Sequence, residues 1–327
     1  MGERERVEGI EVPGTRLEIE SQFGSEPACR AYLERVRWPD GFVCPDDACG
    51  GRRSWLTARG LRRCAACGRQ TSLTAGTIFA GARKPLRDWF EVLWLMTGKD
   101  GVSAEALRTA LGLGSYQTAW VWLHKVRRVM ATVAPERLTG IVELGVFDLP
   151  SVESSARRKS PHPTLVAMAL EASDLDTGRV RLARLETRGS VAIERFVAQA
   201  VAPGAKLRTA LKLPPRSALG HRLGSTTART RRDVATVLLD DLASQLDYWI
   251  VATHHGAIRR QQLDFYLAEF AFRVNERGST QGLRFHHLLE RALTVAPTSA
   301  RALVGGTGAA VTVAMPSSPS RAERATP

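Results

Sequence analysis

Apolar residues recur at helical spacing through several stretches of the first third of the chain. Residues 25–37 predict a short helix, with a serine in the capping position and an apolar stripe on one face. Pro85 opens a second helix, whose apolar residues cover more than half of its circumference, so we expect it to be central to a small core. A short helix over 103–112 and a longer basic helix over 115–133 follow. Residues 1–20 are charged, and we expect them to be loose.

The pattern changes from helical to strand-like after Gly140. Three apolar-rich stretches, an amphipathic helix capped by Ser190 and a fourth short strand predict a mixed sheet of the α/β class. The four predicted strands cover residues 140–147, 164–173, 178–189 and 206–211. A turn over 176–178 joins the second strand to the third.

Loops and further helices are predicted on either side of these strands. Polar residues predict a loop over 151–163, and Pro, Ser, Thr and Arg predict another over 214–232. Helices are expected over 233–251, 253–278 and 281–295. Residues 298–327 have a composition typical of a disordered tail.

The charge of the chain indicates its class of partner. The 327 residues include 46 Lys and Arg against 33 Asp and Glu, a formal net charge of +13. Such an excess indicates a polyanionic partner, most often nucleic acid and less often an anionic membrane surface. No apolar run is long enough to span a membrane, and the first residues lack the apolar core of a secretory signal. We therefore expect a cytoplasmic protein with no membrane partner, in which Cys29 is a reduced thiol.

Four cysteines form two pairs, each beside Gly or Pro: Cys44 with Cys49, and Cys64 with Cys67. Two closely spaced pairs of this kind are typical of tetrahedral Zn²⁺ sites, and a site closed by four thiolates has no open position for chemistry. Buried free thiols or a disulfide knot are the alternatives, but disulfides are rare in a reducing compartment. The pattern predicts a zinc ribbon of short strands that holds structural Zn²⁺. We expect its small apolar face to comprise Trp55, Leu61 and Leu73.

The predicted helices after the ribbon follow a helix, short helix, turn, basic helix order. This order is the helix-turn-helix pattern, in which the last helix enters the DNA major groove. We expect Tyr116 and Gln117, at the start of that helix, to face base edges. We expect phosphate contacts from Lys125, Arg127 and Arg128. A plain three-helix bundle with a solvated basic face is the alternative, but the net charge and the neighbouring ribbon favour DNA binding.

Four longer stretches carry a resemblance to a known family. They read CGRQTSLTAGTIF, KPLRDWFEVLWLM, KDGVSAEALRTALGLGSYQTAWVWLHKVR and THHGAIRRQQLDFYLAEFAFRVNERGS. With the predicted strand order, they resemble insertion-sequence transposases that couple an N-terminal zinc ribbon to an RNase H-like catalytic domain, over about residues 25–295. The resemblance implies double-stranded DNA as the partner, strand transfer at terminal repeats as the ancestral activity, and assembly into a homo-oligomer.

The resemblance also implies two-metal chemistry, in which carboxylates on adjacent strands hold two Mg²⁺ ions. The first family acid belongs in the first strand, where this chain has Gly145. The second directly follows a Thr, and here Ala210 follows Thr209. The third position, an Asn or acid trailed two residues later by a Lys, is occupied by Gln245 and Asp247. All four positions depart from the family, so we expect no Mg²⁺ and no intact catalytic site.

Other acids lie close to the replaced positions. Glu143 shares a strand face with Gly145, because residues two apart in a strand point to the same side, and it is the best remaining candidate. Asp148 belongs to the opposite face unless the strand bulges. Further acids on the next helix are Asp240, Asp241 and Asp247. A working transposase that uses such displaced acids is one alternative interpretation, and a protein-interaction module built on the ribbon is another.

A Thr-His-His-Gly motif follows these acids. By resemblance it is not catalytic, and we expect His254 and His255 to lie at a helix N-terminus or contact phosphate rather than bind metal. Arg259 and Arg260 fit a backbone-contact patch. The predicted plan is therefore multi-domain α/β: an arm with a short helix (1–40), a zinc ribbon (41–80), a helix-turn-helix-like segment (84–135), a degenerate RNase H-like domain of mixed sheet with flanking helices (140–295) and a tail (298–327).

Overall fold

A computed structural model of the chain describes residues 5–82, 84–132, 136–150, 164–172, 177–211, 222–225, 234–254 and 258–304. The predicted loop over 151–163, the residue His255 and the tail beyond residue 304 lie outside the described residues. No helix in the described part of the chain combines the length and the apolar composition needed to cross a membrane.

The N-terminal arm is ordered. It consists of strand β1 (Arg6–Val7), strand β2 (Ile10–Glu11), helix α1 (Arg16–Gln22) and helix α2 (Glu26–Arg37). The prediction that residues 1–20 are loose is wrong over 5–20, because Ile10, Ile19 and Phe23 are buried in a core shared with later helices. The predicted cap of the second helix is confirmed, since the Ser25 hydroxyl accepts from the backbone N–H of Ala28.

The ribbon is a small antiparallel sheet. Its strands, in spatial order, are β3 (Ser54–Leu56), β4 (Arg62–Cys64) and β5 (Gln70–Thr71). The predicted apolar face is wrong in two members: Trp55 is 49% exposed, and Leu73 packs into the helical core instead. Phe42 fills the small interior of the ribbon, where it packs beside Cys44 and Cys64.

Three helices follow the ribbon, as predicted. They are α3 (Leu86–Thr97), α4 (Ala104–Ala110), which Ser103 caps, and α5 (Tyr116–Thr132). Most residues of α3 are buried, which agrees with its broad apolar pattern. Helix α5 is also mostly buried beyond its first turn, and only its N-terminal end is open to solvent.

The predicted mixed sheet is confirmed. Its elements are β6 (Ile141–Leu149), β7 (Thr164–Ala172), β8 (Thr177–Leu185), α6 (Ser190–Ala200), β9 (Lys206–Thr209) and β10 (Arg222–Ser225). The spatial order is β10-β9-β6-β7-β8, with β6, β7 and β8 antiparallel and the other two strands parallel to β6. Two details correct the prediction: β10 lies inside the stretch predicted as a loop, and Gly189, not Ser190, is the cap of α6.

Helices cover both faces of this sheet. The remaining elements are α7 (Val234–His254), a 3-10 turn (Arg260–Gln262), α8 (Leu263–Asn275), α9 (Gln281–Thr294) and α10 (Ala300–Val304). Val142 and Leu144 of β6 pack on the α6 side, whereas Phe147 and Leu149 pack on the side of α7 and α8. The short helix α10 lies within the stretch predicted as a disordered tail, so that prediction is wrong for residues 300–304.

Helix α9 packs against the N-terminal half rather than against the sheet. Phe285, Leu288 and Leu289 belong to the core that α1, α2, α3 and α5 form. The hydroxyl of Tyr32 in α2 and Nδ1 of His286 in α9 are 2.8 Å apart. The two ends of the described chain therefore build one helical body.

Candidate functional site

Four cysteine side chains meet in the ribbon. The Sγ atoms of Cys44 and Cys67 are 3.7 Å apart, and so are those of Cys49 and Cys64. All four sulfur atoms lie within 4.8 Å of one another, and all five cysteines of the chain are free of disulfides. A tetrahedral zinc ion with Zn–S bonds of about 2.3 Å requires sulfur atoms about 3.8 Å apart. The residues present therefore fit Zn²⁺, which would hold the ribbon together without taking part in chemistry.

Glycines permit this arrangement of sulfur atoms. Gly50 and Gly68 have φ angles of +61° and +74°, a left-handed conformation that other residues rarely adopt. Gly51 is needed for space, because a Cβ atom there would lie 2.8 Å from Sγ of Cys64. A hydrogen bond from the backbone N–H of Cys67 lowers the pKa of the Cys64 thiol to about 7, whereas burial raises the pKa of the Cys44 thiol.

The two positions predicted from the resemblance each follow a residue of one cross-strand pair. Strands β6 and β9 are parallel, Leu144 pairs with Thr209, and the Thr209 hydroxyl donates to the Leu144 carbonyl at 2.9 Å. Gly145 directly follows this pair within β6, and Ala210 directly follows it just beyond the end of β9. Neither side chain can offer a ligand atom.

The space beside Gly145 is filled by an aromatic ring. A Cβ atom built at Gly145 would lie 2.7 Å from Cε2 and Cζ of Phe147 and 3.7 Å from Cδ1 of Leu239 in α7. A carboxylate at position 145 would therefore require the Phe147 ring to move. The Phe147 ring thus occupies volume that a side chain at position 145 would need.

Glu143 lies on the face of β6 that carries Gly145, as strand alternation predicts. Its side chain is buried, and Oε1 lies 3.5 Å from a guanidinium nitrogen of Arg208 on β9. An acid that a neighbouring arginine already neutralises has less charge to offer to a cation. The best remaining acid is thus part of a cross-strand ion pair.

A groove of about 670 Å³ separates the end of β6 from α7. Asp148, Asp240 and Asp247 line it together with Phe147 and Tyr248. Asp148 forms an ion pair of 2.8 Å with Arg188, on the approach to α6.

Gln245, one of the predicted positions on α7, does not line this groove; it is exposed and donates to Asp241 at 2.7 Å. Within the described ranges, the four cysteines are the one group of three or more possible ligand residues whose ligand atoms converge as a metal site requires.

Arg127 is a core residue. Its side chain is 1% exposed, its Nε donates to Glu269 of α8 at 2.7 Å, and its guanidinium lies 4.1 Å from the ring centroid of Tyr266. Arg273 also bonds to Glu269. Burial alone raises the pKa of the Glu269 carboxyl, but the charges of Arg127 and Arg273 outweigh it and lower that pKa to about 2. The expectation that Arg127 contacts phosphate is therefore wrong, because its charge is used to join α5 to α8.

The other two basic residues predicted on α5 are engaged within the fold. Nζ of Lys125 lies 5.7 Å from the ring centroid of Trp89, and partial burial lowers the pKa of this lysine. Arg128 donates to the carbonyl of Ala296 at 2.8 Å and also bonds to the hydroxyl of Thr298. Both side chains therefore have partners within the fold, and their contact with phosphate stays a prediction.

Tyr116 and Gln117 are exposed at the start of α5, and their contact with base edges stays a prediction. Arg259 is exposed as well, whereas Arg260 is half-buried and lies 3.7 Å from Glu186. His254 ends α7 rather than beginning the next helix, and its ring lies against Trp249 and Tyr266. The expectation of a helix N-terminal role for His254 is thus wrong.

The geometry defines a class of protein: a four-cysteine zinc-ribbon-like module ahead of an α/β body with a five-stranded mixed sheet. Comparison with protein families agrees, since residues 24–70 match a transposase zinc-ribbon domain and residues 150–275 match an ISXO2-like transposase domain. The chain belongs to the insertion-sequence transposase family. No curated protein and no solved structure matches it. The ribbon match and the cysteine cluster together support a structural zinc ion.

Sequence patterns did not predict the roles of Phe147 and Glu269, and they predicted only in part why Gly51 is needed. Phe147 looks like an ordinary strand residue, and its place beside Gly145 follows only from the two-residue repeat of the strand. Gly51 is one of three glycines near the cysteines, and its lack of space depends on the sulfur positions. Glu269 is an acid in an apolar helical stripe, which is a signal for a buried ion pair.

Proposed function

We propose that the chain is a DNA-binding member of the transposase family whose strand-transfer site does not assemble a two-metal centre. The observation that carries the proposal is that Gly145 and Ala210, which directly follow the paired residues Leu144 and Thr209, offer no ligand atom, and that the Phe147 ring fills the space beside Gly145. Two-metal catalysis requires carboxylates at these positions, because Mg²⁺ gives up its water shell only to well-placed oxygen ligands.

The remaining acids do not replace the missing ones. Glu143 is paired with Arg208, and Asp148 is paired with Arg188. The other two acids that line the groove, Asp240 and Asp247, both lie on α7, which forms one side of it. A transposase that works through displaced acids is the second candidate, and the shared face of Glu143 and Gly145 is the observation that favours it.

DNA binding is supported by charge and by the family. The net charge of +13 favours association with a polyanion, and the start of α5 leaves Tyr116 and Gln117 open to solvent. We propose double-stranded DNA as the partner and, as in the sequence analysis, assembly of several copies. Thiols stay reduced in the cytoplasm, which supports the proposal that the protein works there.

A nicking assay tests the catalytic half of the proposal. Full-length, zinc-loaded protein is incubated with supercoiled plasmid and either Mg²⁺ or Mn²⁺, and the conversion to open circles is measured. We expect no conversion above the level seen with chelator. Metal-dependent nicking that disappears in Glu143→Gln and persists in Glu105→Gln, an acid far along the chain on α4, would instead establish the second candidate.

A binding titration tests the DNA half. Affinity for duplex DNA should fall steeply as salt rises, because each neutralised phosphate releases a counterion. Tyr116→Ala and Gln117→Ala should weaken binding, since both side chains are exposed and neither supports the core. Absent or salt-insensitive binding would favour the alternative of a protein-interaction module.

A further inference from the structure

The outer face of the ribbon sheet combines an exposed tryptophan with arginines. Trp55 of β3 is 49% exposed, although tryptophan gains much from burial. Arg63 lies directly opposite in β4, with its guanidinium 5.6 Å from the ring centroid, and Gln70 of β5 lies opposite Arg63. Cross-strand partners share a face, so these three side chains form one row across the three strands.

The row faces solvent, because residues on the opposite face of the sheet contact other parts of the protein. Arg62, the neighbour of Arg63, forms an ion pair with Glu34 of α2. Cys64, two residues from Arg62, carries its sulfur atom into the metal cluster. At Arg62 and Cys64 the inner face therefore contacts α2 and the metal site, whereas no element of the described chain covers Trp55 on the outer face.

Three further arginines lie within four residues of Trp55 in the sequence. Arg52, Arg53 and Arg59 are exposed. Together with Arg63 they have no carboxylate within ion-pair distance in the described part of the chain, although Arg69 is paired with Asp46 at 3.1 Å. A free cation next to an exposed aromatic ring is an arrangement that recognises a negatively charged ligand with a flat, apolar surface.

We propose that this face binds unpaired nucleotides of a DNA strand, with a base stacked on Trp55 and the arginines on the flanking phosphates. In a duplex both faces of each base are covered by its neighbours, so an exposed indole gains little there, whereas an unpaired base offers a free face. The three strands span about 10 Å in each direction, which is enough for one or two nucleotides. The proposal rests on the proposed function, because it assumes that the protein binds DNA. It adds that the bound DNA is single-stranded at this face, and it names the residues that make the contact.

The test compares a labelled single strand of oligothymidine with a labelled duplex, both titrated with full-length, zinc-loaded protein. Trp55→Ala should weaken binding of the single strand about tenfold or more, since base stacking is sensitive to loss of the ring. Trp55→Phe should retain most of the affinity. Leu56→Ala is the matched control, because Leu56 is the next residue, is 60% exposed and belongs to the opposite face of β3. Arg63→Gln should reduce the slope of log affinity against log salt by roughly 0.7.

Each outcome of the test identifies a different role for this face of the ribbon. Equal weakening of single strand and duplex by Trp55→Ala would make it a duplex contact and overturn the proposal, as would no weakening of either. A change in molecular mass by light scattering, with DNA binding unchanged, would mean that the face joins copies of the chain. If the duplex does not bind but the single strand binds through Trp55, the ribbon proposal stands while the duplex part of the proposed function fails. If the duplex binds and Trp55→Ala leaves the affinity for the single strand unchanged, only the ribbon proposal fails.

Discussion

The ion pair between Arg127 and Glu269 gives a quantitative test of the fold, because it joins α5 to α8 in the interior. Replacement of Glu269 by Gln keeps the shape of the side chain and removes its charge. Arg127, which is 1% exposed, is then left buried without a counter-charge. Breaking a buried pair in this way costs about 3–5 kcal/mol.

The pKa of Glu269 gives a second measure of the same interaction. The carboxyl falls from its ordinary value of 4.5 to about 2 in the fold. One pKa unit corresponds to about 1.4 kcal/mol, so the folded state gains roughly 3 kcal/mol from the ionised form. Because the folded pKa is depressed, this contribution is complete above about pH 4.5 and is lost as the pH falls towards 2.

The assay is urea unfolding of the zinc-loaded protein, followed by far-ultraviolet circular dichroism at several pH values. Glu269→Gln should lower the free energy of unfolding by about 3 kcal/mol at pH 7 and flatten its dependence on pH below 4.5. Glu105→Gln is the control, because it removes an exposed pair with Arg108 and should change little. Arg127→Met combined with Glu269→Leu should regain much of the loss, since apolar pairs often replace buried ion pairs. Equal stability of Glu269→Gln and wild type would refute the reasoning.

Three further substitutions test other parts of the structure. Cys64→Ser should release zinc and unfold the ribbon, which metal analysis by mass spectrometry measures; unchanged zinc content would contradict the four-cysteine site. Gly51→Ala should weaken zinc retention against a chelator, because its Cβ would lie 2.8 Å from a ligand sulfur, whereas Gly114→Ala, which meets nothing within 4 Å, should not. Gly282→Ala should lower the melting temperature by several degrees, because its Cβ would lie 2.2 Å from the carbonyl oxygen of Pro13; an unchanged melting temperature would show that the arm does not pack on α9.

Sequence patterns were sufficient where one short rule determines the structure. Cysteine spacing predicted the ribbon, and strand alternation placed Glu143 and Gly145 on one face. The mixed sheet, with β9 beside β6, followed from the expected strand order. These features depend on local repeats and on connections that vary little between proteins.

The patterns failed where distant contacts decide the outcome. Arg127 looks like a surface charge on a basic helix, and only the approach of Glu269, 142 residues later, makes it a core residue. Residues 5–20 look loose because their burial depends on α9, at the other end of the described chain. Strand β10 is rich in turn-forming residues and is a strand because β9 offers it a free edge.

The shared core of the first helices and α9 sets the order of events during synthesis. Tyr32 meets His286 across 254 residues of chain, so the helical body stays incomplete until α9 has left the ribosome. The ribbon can fold around its metal early. Phe23 and Phe90 stay partly uncovered until Phe285 of α9 packs against them. A fragment that ends after α5 would expose this apolar surface and aggregate. The N-terminal half therefore has to be studied together with α9.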